Sequence, residues 1–166
     1  EKIFNFKAPR QHGLSATHSI KAMAKGEAKI FFGMGGNFAA ATPDTELTYQ
    51  ALQQCILTVH VSTHLNRSHV IHGKKALILP CLGRSELDIQ ETGPQAVTVE
   101  DSMSMVHASQ GSNLPASTSL KSEPAIVAGI ARALLPDGSL NWDELISDYD
   151  LIREQIALVL PAFEGY

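Results

Sequence analysis

The stretch Ala28-Lys29-Ile30-Phe31-Phe32-Gly33-Met34-Gly35-Gly36-Asn37 decides the fold. Residues 28–32 form an apolar burst too short for a helix, and the glycines that follow stop it. A short run without polar alternation is the mark of a strand buried on both faces, the habit of parallel sheets. Upstream, Ser15 is placed to cap a short helix that ends at Gly26, with Ile20, Met23 and Ala24 on one side. Downstream, Thr42-Pro43-Asp44 reads as a helix start, Thr42 the cap and Pro43 the first helical residue, and the helix runs to Gln54. Strands follow at 56–61 and 76–79, the latter stopped by Pro80, with room for two helical turns between them at 66–73. This alternation predicts an α/β fold: a doubly wound, mostly parallel sheet with helices on both faces, Rossmann-like.

Residues 1–11, which lack periodicity and contain Pro9, read as a linker or lead-in, and 12–166 as a single α/β domain. A fourth strand is expected at 96–100, and a surface loop rich in Ser, Pro and Asn at 109–119. A helix at 122–135 turns Ala125, Ile126, Gly129, Ile130 and Ala133 inward, and a last helical stretch at 142–160 breaks near Asp148. A folded chain of 166 residues is expected to expose roughly 8,000 Å². Hydrophobic residues at 44% and charged residues at 18% exclude a disordered chain, and no apolar run reaches the roughly 18 residues of a membrane span. Thirteen basic against 17 acidic residues leave a net charge of -4 without a basic cluster, so no nucleic-acid partner is expected. Cys55 and Cys81 are too few for a disulfide scaffold and no signal peptide opens the chain, which points to the reducing cytoplasm. The chain begins at Glu1 and not Met, which processing or a cut from a larger protein would produce, and the latter is expected.

In an open α/β sheet, ligands sit beyond the carboxyl ends of the strands. There, Gly33, Gly35 and Gly36 let backbone N–H groups approach a phosphate, and Asn37 adds a polar side chain; the alternative is a plain tight turn. Phe38 stands where a dinucleotide fingerprint has its third glycine, and no P-loop Lys follows. Ser62 and Thr63 offer hydroxyls after the second strand, or simply cap the next helix. His60, His64, His69 and His72 cluster, with His107 further on, yet no H-E-x-x-H is present and no metal site is expected. His107-Ala108-Ser109-Gln110-Gly111 lacks the first glycine of a nucleophile elbow, and Cys81 has no identifiable base, so no catalytic residue is assigned. Asn66-Arg67-Ser68 matches a glycosylation sequon that means little without a secretory signal. Read from the residues alone, the site has the size of a nucleotide and no catalytic machinery.

Residues 29–38, the run Ser62-Thr63-His64-Leu65-Asn66-Arg67-Ser68-His69, residues 76–80 and Gly83-Arg84-Ser85-Glu86 together resemble the large subunit of molybdopterin oxidoreductases, most closely the formate-dehydrogenase-like branch. Val99-Glu100-Asp101-Ser102-Met103-Ser104 and Leu120-Lys121-Ser122-Glu123 extend the resemblance over nearly the whole chain. It implies an α/β domain that grips part of a molybdopterin guanine dinucleotide, with the other domains of the same subunit as partners. Molybdenum, and any iron–sulfur cluster, would then be held elsewhere. By this resemblance Asn37 ends the glycine turn, Ser62 and Thr63 stand where the family has a polar residue and then Asp, and Leu87 offers only backbone. Lys121-Ser122-Glu123 matches a Lys-Ser/Thr-Asp element with Glu in place of Asp, and Glu123 is expected to pair with guanine. The domain is expected to fold alone without turnover. The other reading is a nucleotide-binding regulatory or scaffold module without redox chemistry.

Overall fold

A computed structural model describes residues 1–136, 138 and 140–165. The chain forms two compact units, Arg10–Cys81 and, together, Glu1–Pro9 with Leu82–Tyr166.

In Arg10–Cys81 the order is α1 (Ala16–Ala24), β1 (Ile30–Met34), α2 (Phe38–Ala41), α3 (Thr45–Gln54), β2 (Leu57–Ser62), α4 (Arg67–Val70) and β3 (Lys75–Pro80). The strands are all parallel in the order β1-β2-β3, with Met34 opposite Val61 and Val61 opposite Leu79, so the unit is α/β. Paired positions share a face of the sheet. On the face of Phe31, that ring packs against Ile20 and Met23 of α1 and Ala51 of α3 with Cys55. On the opposite face Ile30, Phe32, Met34 and Leu77 remain 65%, 46%, 40% and 47% exposed. Such side chains contribute to an accessible surface of 11493 Å², well above the roughly 8,000 Å² that the scaling gives for this mass.

Several local expectations shift. β1 does not stop at Gly33: pairing continues through Gly33 opposite His60 to Met34, and the chain turns only at Gly35 and Gly36, where φ is 66° and 67°. Thr42 does not cap α3. Its backbone is extended, φ -96° and ψ 151°, as before a proline, but its hydroxyl is bonded to the Thr48 hydroxyl at 2.6 Å and not to a backbone N–H of the helix. Asp44 caps instead, its carboxylate accepting the Leu47 N–H at 2.9 Å. α2 was not anticipated, because four residues carry no periodicity. The helix between β2 and β3 is one turn, since the chain must next run against Cys55. A Cβ on Gly73 would lie 2.5 Å from the Cys55 carbonyl oxygen, and that carbonyl accepts the Lys74 N–H.

The other unit holds two small antiparallel pairs, β4 (Ile89–Gln90) with β5 (Gly93–Pro94) and β6 (Val97–Glu100) with β7 (Val106–Ser109). The strand expected at 96–100 is therefore present as β6, but it pairs antiparallel within a hairpin and does not extend the parallel sheet. Asp101 closes that hairpin, its Oδ1 accepting the N–H of Met103 at 2.8 Å and of Met105 at 3.1 Å. α5 (Glu123–Leu134) buries Ile126 and Ala128. The break near Asp148 divides α6 (Trp142–Ser147) from α7 (Tyr149–Val159), with Asp148 capping α7. Among the described residues no helix is long and apolar enough to cross a membrane.

Candidate functional site

The carboxyl ends of β1 and β2 lie side by side, and the Gly35 N–H donates to the Val61 carbonyl at 2.8 Å. Gly35, Gly36 and Asn37 therefore meet Ser62 and Thr63 at one edge of the parallel sheet. Gly33 serves a different end: it is a strand residue, and a Cβ there would lie 2.8 Å from the Phe31 ring. At Gly35 and Gly36, by contrast, a Cβ would meet nothing within 4 Å. Their left-handed backbone is what demands glycine, and the open space above them is available to a ligand. Among the described residues the Gly36 and Asn37 N–H groups have no protein acceptor.

The loop is braced from α4. Asn66 Nδ2 donates to the Gly36 carbonyl at 2.8 Å, while Asn66 Oδ1 accepts the Ser68 N–H at 2.9 Å. Ser68 is fully buried; its Oγ accepts the Ala39 N–H at 2.9 Å and donates to Asn37 Oδ1 at 3.1 Å. The His69 Nδ1 accepts the Asn66 N–H at 2.9 Å and completes a capping box. Asn66 and Ser68, noted in the sequence as a sequon and within the family-like run 62–69 but not as site residues, thus hold the glycine loop. The signal for this was Asn66 followed three residues later by a side chain able to accept its N–H.

Ser62 and Thr63 are less free than their position suggests. Ser62 Oγ donates to the His64 carbonyl at 2.7 Å and accepts the His64 N–H at 3.4 Å, a local turn. The exposed Thr63 hydroxyl lies 2.9 Å from His64 Nδ1. Beneath them, the buried His60 ring stands 4.9 Å from His69 and 5.5 Å from Phe31. Among the described residues neither His60 Nε2 nor His69 Nε2 has a hydrogen-bond partner. Burial, and then the neighbouring His69, hold the His60 imidazole below the usual imidazole range. His107 belongs to the other unit, where its Nε2 lies 2.8 Å from Asp101. Among the described residues no three His, Cys, Asp or Glu side chains are arranged to hold a metal.

Leu87 and Glu123 also belong to the other unit. The Leu87 N–H is occupied by the Asn113 carbonyl at 2.8 Å, so only its own carbonyl is open. Glu123 is exposed at the first position of α5, capped by Ser122. Asp88 and Ser122, their sequence neighbours, meet at the buried Tyr149 hydroxyl. It lies 2.7 Å from Ser122 Oγ and donates to Asp88. Burial, and then the bond to Asp88, push the Tyr149 phenol above its usual range.

No family model matches the chain. The chain is 50% identical over 167 residues to an uncharacterized oxidoreductase of Mycobacterium tuberculosis, a match that covers 100% of this chain and 21% of that protein. It is 52% identical over 163 residues to the protein YdeP of Escherichia coli and of Shigella flexneri, covering 98% of this chain and 22% of theirs. The chain spans about a fifth of the length of the curated relatives it matches.

Proposed function

We propose that this chain is the nucleotide-gripping part of a larger molybdopterin oxidoreductase of the formate-dehydrogenase-like kind. In this reading Gly35, Gly36 and Asn37 receive the pyrophosphate of a molybdopterin guanine dinucleotide. The observation that carries it is the pair of left-handed glycines beyond β1, with open space above them and two N–H groups without protein acceptors. A phosphate offers only acceptors, so a rim of donors suits it. The motif resemblance and the oxidoreductase name of the mycobacterial relative support the reading.

When bound, such a cofactor supplies two-electron redox chemistry at its metal; the residues here bind and orient it. Thr63, exposed and with its hydroxyl 2.9 Å from His64 Nδ1, is the side chain after β2 that faces solvent, while Ser62 keeps the turn in shape. In the other unit Glu123 is assigned to guanine, its carboxylate accepting from the ring N–H and the exocyclic amino group, a pair that adenine does not present. Leu87 adds its backbone carbonyl. The remaining parts of the longer polypeptide hold the metal, any iron–sulfur cluster and the substrate.

The test is made on the full-length protein, by mass spectrometry for molybdenum and by chromatography of guanine nucleotide released in acid. Wild type is expected to carry both. Gly36→Val is expected to lose both, because a β-branched residue at positive φ costs about 1 kcal/mol or more and its methyls fill the open space. Wild-type metal and nucleotide in that variant would show the loop to be a turn and nothing else.

A further inference from the structure

The network behind the glycine loop settles the orientation of a side chain at its rim. Ser68 is 1% exposed, and its Oγ accepts the Ala39 N–H at 2.9 Å. A serine hydroxyl has one proton, and the acceptor within reach of it is Asn37 Oδ1 at 3.1 Å. The backbone N–H thus fixes the serine as acceptor, the serine proton fixes the carboxamide oxygen, and the Asn37 NH₂ is left as the free end. Asn37 Nδ2 has no protein acceptor among the described residues. Three donors of the loop are then without a protein acceptor among the described residues: the N–H groups of Gly36 and Asn37, and the Asn37 amide.

We propose that Ser68, which lies behind the loop, is a positioning residue that holds the Asn37 carboxamide NH₂-outward. It thereby restricts this rim to an acceptor-only group such as a phosphodiester oxygen. The inference rests on the reading of the loop as a phosphate site, and it adds what that reading lacks, a residue that decides which face of Asn37 the ligand meets. Without the serine proton the amide is free to turn, and its oxygen would then confront the phosphate.

The probe is guanine nucleotide released by acid from the purified full-length protein, per polypeptide, after gel filtration, with the melting temperature recorded alongside. Ser68→Ala is expected to lower the retained nucleotide about fivefold, the size of one misplaced hydrogen bond. In an Asn37→Ala background the same change is expected to lower it no further, since Ser68 acts through Asn37. Asn37→Asp, which keeps the Ser68 bond but turns an oxygen outward, is expected to retain less than Asn37→Ala. An equal loss from Ser68→Ala in both backgrounds overturns the inference in favour of plain packing. So does Asn37→Asp with wild-type retention. If Ser68→Ala does not fold, Ser68→Cys, whose thiol is a weak donor, is read in the same two backgrounds. Nucleotide lost from Gly36→Val but kept in Ser68→Ala overturns the positioning role alone. Nucleotide kept in Gly36→Val, or absent from wild type, overturns the phosphate reading and the positioning role with it.

Discussion

Two hydrogen-bond relays, one in each unit, are built alike and end differently. In one, the Ala125 N–H donates to Ser122 Oγ, Ser122 to the Tyr149 hydroxyl, and Tyr149 to the Asp88 carboxylate. In the other, the Ala39 N–H donates to Ser68 Oγ and Ser68 to the Asn37 carboxamide. Each begins at a helix start and passes through a buried serine. The first ends on a carboxylate whose other oxygen already accepts from Gln90 at 2.6 Å, and nothing is left over. The second ends on a group that still has two protons to give. A closed relay holds a fold together; an open one holds a fold together and presents what remains.

If that distinction is right, variants of the closed relay act on stability. Tyr149→Phe is expected to lower the unfolding free energy by about 1–3 kcal/mol, because it strands the proton of the buried Ser122 hydroxyl and takes a donor from the half-buried Asp88 carboxylate. A change within 0.5 kcal/mol on urea unfolding, roughly that of an inert surface substitution, would dissolve the contrast between the relays.

The open relay sits on a pair of histidines, and its weakness should appear in acid. The folded-state pKa of His60 is lowered by burial and by His69. Between about pH 6.5, where a free imidazole titrates, and the lower folded value, the unfolded chain binds the proton that the folded chain refuses. Stability is then full above that pH and declines as pH falls through the window. Melting temperatures from pH 7.5 to 5 are expected to fall in wild type and to flatten in His60→Gln. An equal slope in both would place the acid sensitivity elsewhere.

The smallest effect on stability belongs to Glu123→Gln. An acidic residue in a first helical turn contributes about 0.3–1 kcal/mol through the helix dipole. The melting temperature should therefore barely move while retention of guanine nucleotide by the full-length protein declines. A shift in melting with unchanged retention returns Glu123 to a purely helical role.

What could be read from the residues follows the range of the physics. Gly35 and Gly36 were legible because left-handed backbone demands glycine locally, and Ser15 because a cap is recognised within four residues; Ser122 and Asp148 were legible only as a helix start and a break, and their capping role comes from the structure. The one-turn α2 left no periodic trace. Thr42 reads as the cap of α3, but the helix starts at Thr45 and the Asp44 carboxylate takes the Leu47 N–H, a choice between two nearby polar residues that the sequence does not decide. The brace on the loop was out of reach, since Asn66 and Ser68 meet Gly36 and Asn37 across some thirty residues of chain. β6 was legible as a strand but its partner was not: pairing depends on the Asp101 turn, and nothing in the alternation of Val97 and Val99 names β7.

The apolar side chains left exposed on the two edge strands of the parallel sheet set the terms on which this chain is made. Ile30, Phe32 and Met34 line an edge strand, and Leu77 lies on the other edge. An apolar plane beside unpaired strand edges is a template for adhesion. Once β3 has left the ribosome that plane is complete, and until it is covered the nascent protein is a client for chaperones. Under forced overproduction, inclusion bodies should begin at this face.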